Sequence, residues 1–242
     1  LPGRLPVTLT RTYRTMGTNL GPFGVGTGHT YDVFLRQDSD VRTLLLPDGV
    51  RVAFPKQPDG TFRNLIDPAY RGAVLTAVGS GHTLRFKDGA VWTFSALTTG
   101  LSTLTSQADR SGNQLTFTRT GSLGTLTTIT DATGRQITLS YDGSNRITQI
   151  TDPIGRTVRY AYDGSGRLAV VTDATFGETR YTYDTAGRML TITDARGILF
   201  LTNEYDSAGR VSRQTLADSG VWTFAYTVSA GVVTQTVVTD PQ

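Results

Sequence analysis

The stretch YDGSNRITQITDPIGRTVRYAYDGSGRLAVVTD, residues 141–173, states one phrase twice. Tyr-Asp opens the phrase at Tyr141-Asp142 and again at Tyr162-Asp163, with an arginine closing each at Arg146 and Arg167. An Asp-x-x-Gly segment, Asp152 to Gly155, lies between the copies. Outward from this stretch the phrase continues. Tyr141, Tyr162, Tyr183 and Tyr205 stand 21, 21 and 22 residues apart, while Asp131, Asp152, Asp173 and Asp194 stand 21 apart. Two independent anchors on one period identify a tandem repeat, the feature to read before any other. Asp109 with Gly112 fits one unit earlier, Asp218 and Gly220 fall in an irregular unit, and Asp240 restarts the pattern.

Each unit contains two turns. An Asp side chain at the first turn position accepts hydrogen bonds from backbone N–H groups just ahead of it. A glycine three residues later supplies the left-handed conformation that a type I turn with a following bulge requires. The pairs are Asp163/Gly166, Asp184/Gly187, Asp206/Gly209, Asp131/Gly134 and Asp152/Gly155. Asn145 takes the glycine place after Asp142, and Asn is the next best left-handed residue. Between turns the pattern alternates with period two: Ile137, Leu139 and Tyr141 oppose Thr138 and Ser140, and Tyr181 and Tyr183 oppose Arg180 and Thr182. That period is a strand with one apolar, aromatic face. Ile129, Ile150, Val171 and Ile192 hold a second register, each two residues before an Asp. The repeat is a β-hairpin, tiled, and stacking the hairpins predicts a ladder of tyrosines along one sheet.

The rest of the chain agrees. Lys56 and Lys87 are the only lysines, Glu178 and Glu204 the only glutamates, so nearly all charge is Arg and Asp. Helix-favouring charged residues are scarce while Thr, Val, Tyr and Gly abound, which favours β-structure. At 242 residues and 38% hydrophobic content the chain has material for a buried core. No apolar run reaches the length of a bilayer span, and no signal peptide is visible. The absence of cysteine excludes disulfides, thiolate metal sites and Cys nucleophiles. The chain begins at Leu1 and ends on TDPQ, like the opening of the TDPIG at 151–155, so it reads as part of a longer polypeptide.

Before about residue 100 the period is lost and the vocabulary stays β. Pro47-Asp48-Gly49 and Lys87-Asp88-Gly89 signal hairpin turns. VRVAF (50–54), HTLRF (82–86) and AVWTF (90–94) alternate as strands, as does the opening LPVTLTRTYRT (5–15), and 17–35 is a glycine-rich loop entering a strand. The expected organisation is therefore a starting β domain over 1–100 and repeats over 101–242, since the end of a repeat array needs atypical units.

YDGSGRL (162–168), YDTAGRM (183–189) and YDSAGRV (205–211), alternating with TDATGR (130–135) and TDPIGR (151–156), resemble the YD repeats of the RHS family. That family includes bacterial Rhs polymorphic toxins, the shell components of insecticidal toxin complexes, and teneurins. The segments LPVTLTRTYRT, GPFGVGTGHTYDVFLR (21–36) and LPDGVRVAFP (46–55) resemble the domain that precedes the repeats in bacterial Rhs proteins. The resemblance implies an all-β fold of tandem antiparallel hairpins in a continuous, curved and spiralling sheet, an open segment of a cocoon. It implies a secreted or cell-surface bacterial protein that encloses a C-terminal effector of the same polypeptide. The self-cleaving C-terminal motif of family members has no match here, so no catalytic residue is carried over.

The structural repeat residues expected on these grounds are Tyr141, Asp142, Arg146, Tyr162, Asp163, Gly166, Arg167, Tyr183, Asp184, Gly187, Arg188, Tyr205, Asp206, Gly209, Arg210, Asp131, Gly134, Asp152, Gly155, Asp173 and Asp194. No catalytic, metal or cofactor site is expected. His29 and His82, each between Gly and Thr, lack the partners of a triad or metal centre. The Gly24–Gly28 run lacks the spacing and the following helix of a phosphate loop. Asp38 and Asp40 lack the other oxygen ligands of a calcium loop. The repeat aspartates fit turn geometry better than a glycosidase pair. Arg4, Arg11 and Arg14, with Arg135, Arg146, Arg156, Arg167, Arg188 and Arg210 behind the turns, raise a polyanion surface. A local ion pair with each turn Asp is the simpler account. The expected partners are the remaining shell and its effector, with a second copy and surface glycans as further candidates and no nucleic acid. The alternative function is an adhesin or a carbohydrate- or polyanion-binding module.

Overall fold

A computed structural model of the chain describes residues 1–241 other than Met16, 97–99, 122 and 123. Among them are 24 β-strands and no helix, from β1 (Arg11–Tyr13) to β24 (Val232–Thr239). The expected all-β fold of tandem antiparallel hairpins is the fold observed. Of the expected organisation 1–100 and 101–242, Gln242 lies outside the described residues. The chain divides into two compact units, one of Leu1–Thr12 with Gly28–Arg156 and one of Tyr13–Thr27 with Thr157–Gln242.

The first unit opens with a ring of strands. β5 (Phe34–Gln37), β6 (Val41–Leu45), β7 (Arg51–Pro55), β8 (Phe62–Arg63), β9 (Val74–Val78), β10 (Gly81–Arg85) and β11 (Val91–Phe94) pair antiparallel in chain order, with a single bridge, Lys56 to Phe62, joining β7 to β8. β12 (Leu101–Ala108) pairs with β11 and closes the ring, because Leu101–Thr103 face Phe34–Arg36 of β5. Farther along, Ser106–Ala108 pair with β13 (Gln114–Thr120), so the same strand starts the hairpin sheet. Closing on itself relieves the start of the sheet of a free edge. The ring holds much of the core: Leu35, Leu44, Phe54, Leu75, Leu84 and Leu104 are almost completely buried. β14 (Thr125–Thr130), β15 (Gln136–Tyr141) and β16 (Ile147–Thr151) continue as hairpins.

The second unit carries the later repeats: β17 (Thr157–Tyr162), β18 (Leu168–Thr172), β19 (Glu178–Tyr183), β20 (Met189–Thr193), β21 (Leu199–Tyr205), β22 (Val211–Leu216) and β23 (Val221–Ser229), ending in β24, exposed at every residue. Alternation holds as expected. Tyr160, Tyr162, Tyr181 and Tyr183 are half-buried, while Arg159, Ala161, Arg180 and Thr182 are exposed.

The turns also have the expected form. Gly134, Gly155, Gly166, Gly187 and Gly209 sit at φ of 83°, 86°, 78°, 81° and 79°, and Asn145 at 58°. Each Tyr-Asp hairpin then carries a bulge one residue into its return strand, as where Ala161 pairs with Val170 and Tyr162 with Leu168, leaving Ala169 over. The odd 22-residue interval between Tyr183 and Tyr205 is absorbed by a second bulge, since Ile192 pairs with Leu201 and Thr193 with Leu199, leaving Phe200 over. One departure is Phe176, which takes the glycine position after Asp173 at φ 67° and is 76% exposed.

The opening segment differs from expectation. Only Arg11–Tyr13 of residues 5–15 is strand. Pro6 has no N–H to give a ladder, and side chains take the backbone groups that follow: Thr8 N–H donates to Tyr31 Oη (3.1 Å) and Thr10 N–H to Thr30 Oγ1 (2.9 Å).

Two substitutions test the turn geometry. Gly166→Val places a β-branched residue at φ 78° and lowers stability by about 2–3 kcal/mol. Phe176→Asn relieves a bulky residue of the left-handed region and raises stability by about 0.5–1 kcal/mol. Urea denaturation of both variants reads the two signs; a Gly166→Val midpoint equal to that of the unaltered chain would remove the turn assignment.

Candidate functional site: a ladder of tyrosine, aspartate and arginine

The repeated residues converge at one corner of every hairpin. Asp184 shows the arrangement. Its Oδ1 accepts from the backbone N–H groups of Ala186 (3.0 Å) and Arg188 (2.9 Å), its Oδ2 accepts from Arg188 Nε (2.7 Å), and its own N–H donates to the Arg188 carbonyl (2.9 Å). Asp142, Asp163 and Asp206 do the same with Arg146, Arg167 and Arg210, and Asp131 and Asp152 with Arg135 and Arg156. A carboxylate on a short stem fills the turn with acceptors, and the guanidinium covers its outer side.

Three turns lack the arginine at that place, the first being Asp109, where Asn113 donates to the carboxylate instead. At the other two, Gly177 and Ile198 stand where the arginine would be: Asp173 bonds Thr175 and Gly177 N–H, and Asp194 bonds Arg196, two residues earlier than the pattern.

The tyrosine belongs to the preceding hairpin as much as to its own. Tyr183 Oη donates to the Leu168 carbonyl (2.7 Å), Tyr226 Oη to Val211 (2.7 Å), Tyr141 Oη to Leu126 (2.6 Å) and Tyr205 Oη to Met189. Leu168, Met189 and Val211 each directly follow the turn arginine and directly precede the bulge. Over the ring of the same tyrosine lies that arginine: Arg167 over Tyr183 at 4.8 Å, Arg188 over Tyr205 at 4.4 Å and Arg210 over Tyr226 at 4.5 Å. Each arginine thus holds its own turn and the next repeat at once. The local ion pairs expected from spacing are present, and the stacking on the next tyrosine is an addition that spacing alone did not reveal.

The electrostatics follow from these contacts. Burial pushes the Tyr205 phenol up to about 12 and raises Tyr183 and Tyr141 as well. For Asp184, burial works against ionisation but is outweighed by the side-chain and backbone hydrogen bonds of Arg188, so its carboxyl lies below the usual range. For Asp206 the Arg210 hydrogen bond leads and the direction is the same.

Tyr226 was legible and missed. It stands 21 residues after Tyr205 (226 − 205), on the same period, but without the Asp that marks the other copies.

The other candidates fall into structural places. His29 is buried, its Nδ1 accepting from Tyr31 N–H (3.1 Å) and its Nε2 3.2 Å from Asp32 Oδ1. His82 is buried and accepts at Nε2 from Arg42 Nε (3.2 Å). Asp38 and Asp40 lie in an exposed loop. Gly24 packs its backbone against the turn at Gly166. Arg4 borders a small cavity with Asn113 and Asp131. Among the described residues no three His, Asp or Glu side chains are grouped to hold a metal, and no helix is long and apolar enough to cross a membrane.

The RHS repeat family model matches residues 122–153, 141–177 and 171–198, over the hairpins just described. Residues 122–198 are RHS repeats. A second model, a domain of unknown function (DUF6531), matches residues 1–54. No curated protein matches the chain. Among solved structures, the chain is similar to the Tc holotoxin pore of Photorhabdus luminescens at 12% identity and TM-score 0.45, over 96% of this chain and 14% of that one. It is similar to the TcdB2-TccC3 structure without its hypervariable C-terminal region at 12% identity and TM-score 0.42, over 83% and 14%. A porin-like protein from Bacteroides uniformis gives 11% identity and TM-score 0.33, over 86% and 94%. The chain thus spans about a seventh of the length of the two toxin structures.

The ladder makes two predictions. Tyr183→Phe removes the hydroxyl that satisfies the Leu168 carbonyl and costs about 1 kcal/mol in urea denaturation. The turn aspartates ionise more readily folded than unfolded, so their stabilisation is complete above the unfolded value of 3.8 and fades as pH falls below it. The tyrosines act with the opposite sense, stabilising fully below their unfolded value of 10.0 and losing this as pH rises towards 12. The urea midpoint should therefore be flat between about pH 7.5 and 9, fall as pH drops through the unfolded histidine value of 6.5 because burial holds His29 and His82 neutral, and fall further below about pH 4; a midpoint no lower at pH 3 than at pH 5 would contradict the assignment of the carboxylates.

Proposed function

We propose that this chain is a structural, non-enzymatic segment of a shell that encloses and helps deliver a C-terminal effector carried on the same polypeptide, secreted or displayed by a bacterium. Residues 1–100 start the wall and residues 101–242 extend it. The tyrosines, aspartates, glycines and arginines of the repeat are its fasteners, with no cofactor and no reaction of their own. The observation that carries this reading is the lock between successive hairpins, in which a turn Arg holds its own Asp and lies on the next Tyr at Arg167/Tyr183, Arg188/Tyr205 and Arg210/Tyr226. Nearest-neighbour contacts of this kind allow a sheet to be lengthened by adding units. The remaining shell and the effector are the partners.

A glycan- or polyanion-binding adhesin draws less support. Sugar stacking needs an open ring face, and the rings of Tyr183, Tyr205 and Tyr226 each carry a guanidinium. Phosphate tracking needs available cations, and the repeat arginines hold turn carboxylates. Paired charges of this kind also contribute little individually to stability, about 0–1 kcal/mol each.

The test is protease protection in the full-length polypeptide. Under native conditions the region following the repeats should resist proteinase K far longer than after denaturation, and should lose that resistance when Tyr183, Tyr205 and Tyr226 are all changed to Ala. Digestion of that region at the same rate before and after denaturation would overturn the enclosure.

A further inference from the structure

Segment 13–27 is flanked in sequence by the first unit yet belongs to the second. Its ends are tied together, Arg14 N–H donating to the Gly26 carbonyl (2.8 Å), which makes it a compact Ω-loop. The interior is cross-braced. Gly26 N–H donates to the Asn19 carbonyl (2.9 Å), Phe23 N–H to Thr27 Oγ1 (3.0 Å), and Thr27 Oγ1 to the Gly24 carbonyl (2.7 Å). Gly21 lies so close to Thr27 that a Cβ there would fall 1.9 Å from the Thr27 carbonyl oxygen. A loop braced in this way has little freedom to stretch.

Its main grips on the hairpins are at two corners, beside which Tyr162 Oη donates to the Pro22 carbonyl (3.5 Å) and Thr15 bonds Tyr205. At one, Gly24 runs over the first YD turn of the unit, where a Cβ would lie 2.5 Å from the Gly166 carbonyl oxygen and 3.2 Å from Leu168 N, and Phe23 is fully buried against Tyr160 at 4.9 Å. At the other, Tyr13 Oη accepts from Met189 N–H (3.0 Å) and approaches the Gly187 carbonyl (3.5 Å). Gly166 and Gly187 are the same turn position one repeat apart, and so are Leu168 and Met189, each pair separated by 21 residues (187 − 166 and 189 − 168). One rigid insert thus grips equivalent corners of two consecutive repeats.

We propose that the 13–27 loop is a caliper that fixes the spacing between the hairpins at 163–167 and 184–188. The ladder links each hairpin only to its neighbour, so small errors in pitch accumulate along a sheet built from it alone. A second, stiff connection across one whole period removes that freedom at the first two repeats of the unit, and later hairpins inherit the spacing. The loop therefore acts as a positioning device for the array, a role beyond the enclosure reading and independent of it.

The caliper requires its grips to be coupled through the loop, which simple packing would not. Amide hydrogen exchange and limited proteolysis on the intact chain read this. In Gly24→Ala, which disturbs the Gly166 corner and strains the loop at φ 96° but makes no contact at Met189, the Met189 amide should exchange at least tenfold faster while Thr191 and Thr202 in the adjoining ladder keep their protection. In Tyr13→Phe, which disturbs only the Met189 corner, chymotryptic cleavage after the buried Phe23 should accelerate at least fivefold. Faster exchange or cleavage confined to the altered corner in both variants would overturn the proposal. If Gly24→Ala loses protection throughout the sheet, Tyr13→Phe decides, since it removes one oxygen atom and no packing.

Discussion

The fold depends on what becomes of one carbonyl in each repeat. In the YD hairpins a bulge follows the turn one residue into the return strand, and the residue before that bulge offers its carbonyl to a partner outside its own hairpin. In Leu168, Met189 and Val211 that carbonyl receives a phenol from the next hairpin. A half-buried carbonyl without a partner costs about 1–3 kcal/mol, so each hairpin needs its successor. This need turns a row of separate hairpins into one sheet. The turn arginine reinforces it by lying on the ring of the same tyrosine, an interaction of about 0.5–1 kcal/mol at a partly exposed site.

Seen from that carbonyl, the repeated residues form one mechanism. Asp needs its short stem to reach two backbone N–H groups, Gly or Asn must occupy the left-handed corner, Arg must span from the carboxylate to the next ring, and Tyr must carry both a face and a hydroxyl. Phenylalanine could replace the face and not the donor. The second unit has few fully buried side chains, Phe23 and Leu168 among them, whereas the first is dense with buried leucines and phenylalanines. A sheet with so thin a core relies on directional contacts between neighbours more than on burial. The ring of the first unit supplies the buried area, and β12 passes it on to the hairpins.

Local chemistry was legible in the sequence and long-range closure was not. The period of Tyr and Asp, the glycine three residues after each Asp, and the alternation of Tyr181 and Tyr183 with Arg180 and Thr182 are local signals and appear as read. The ring depends on pairing Leu101–Thr103 with Phe34–Arg36, some 65 residues apart, and carries no periodic signature. Tyr226 kept the period but lost its Asp, because β23 runs three residues past it to Ser229 and reverses at Ala230-Gly231, both in the left-handed region. Phe176 hid the glycine position by shifting it to Gly177. The opening segment alternated like a strand, yet Pro6 and hydroxyl groups took over its backbone bonding. The segment 17–35 read as a glycine-rich loop entering a strand, and what the reading did not show is that its glycines permit the close backbone contacts that brace it.

The most direct measurement is a double-mutant cycle between Arg188 and Tyr205, residues of successive hairpins, using Arg188→Ala, Tyr205→Leu and the pair in urea denaturation. If hairpins are fastened to one another through this corner, the two losses should fall short of adding by about 0.5–1 kcal/mol, the share of stability held jointly by the two side chains. Losses that add to within about 0.3 kcal/mol would mean the two residues act independently, and the repeats would then be held by backbone pairing alone.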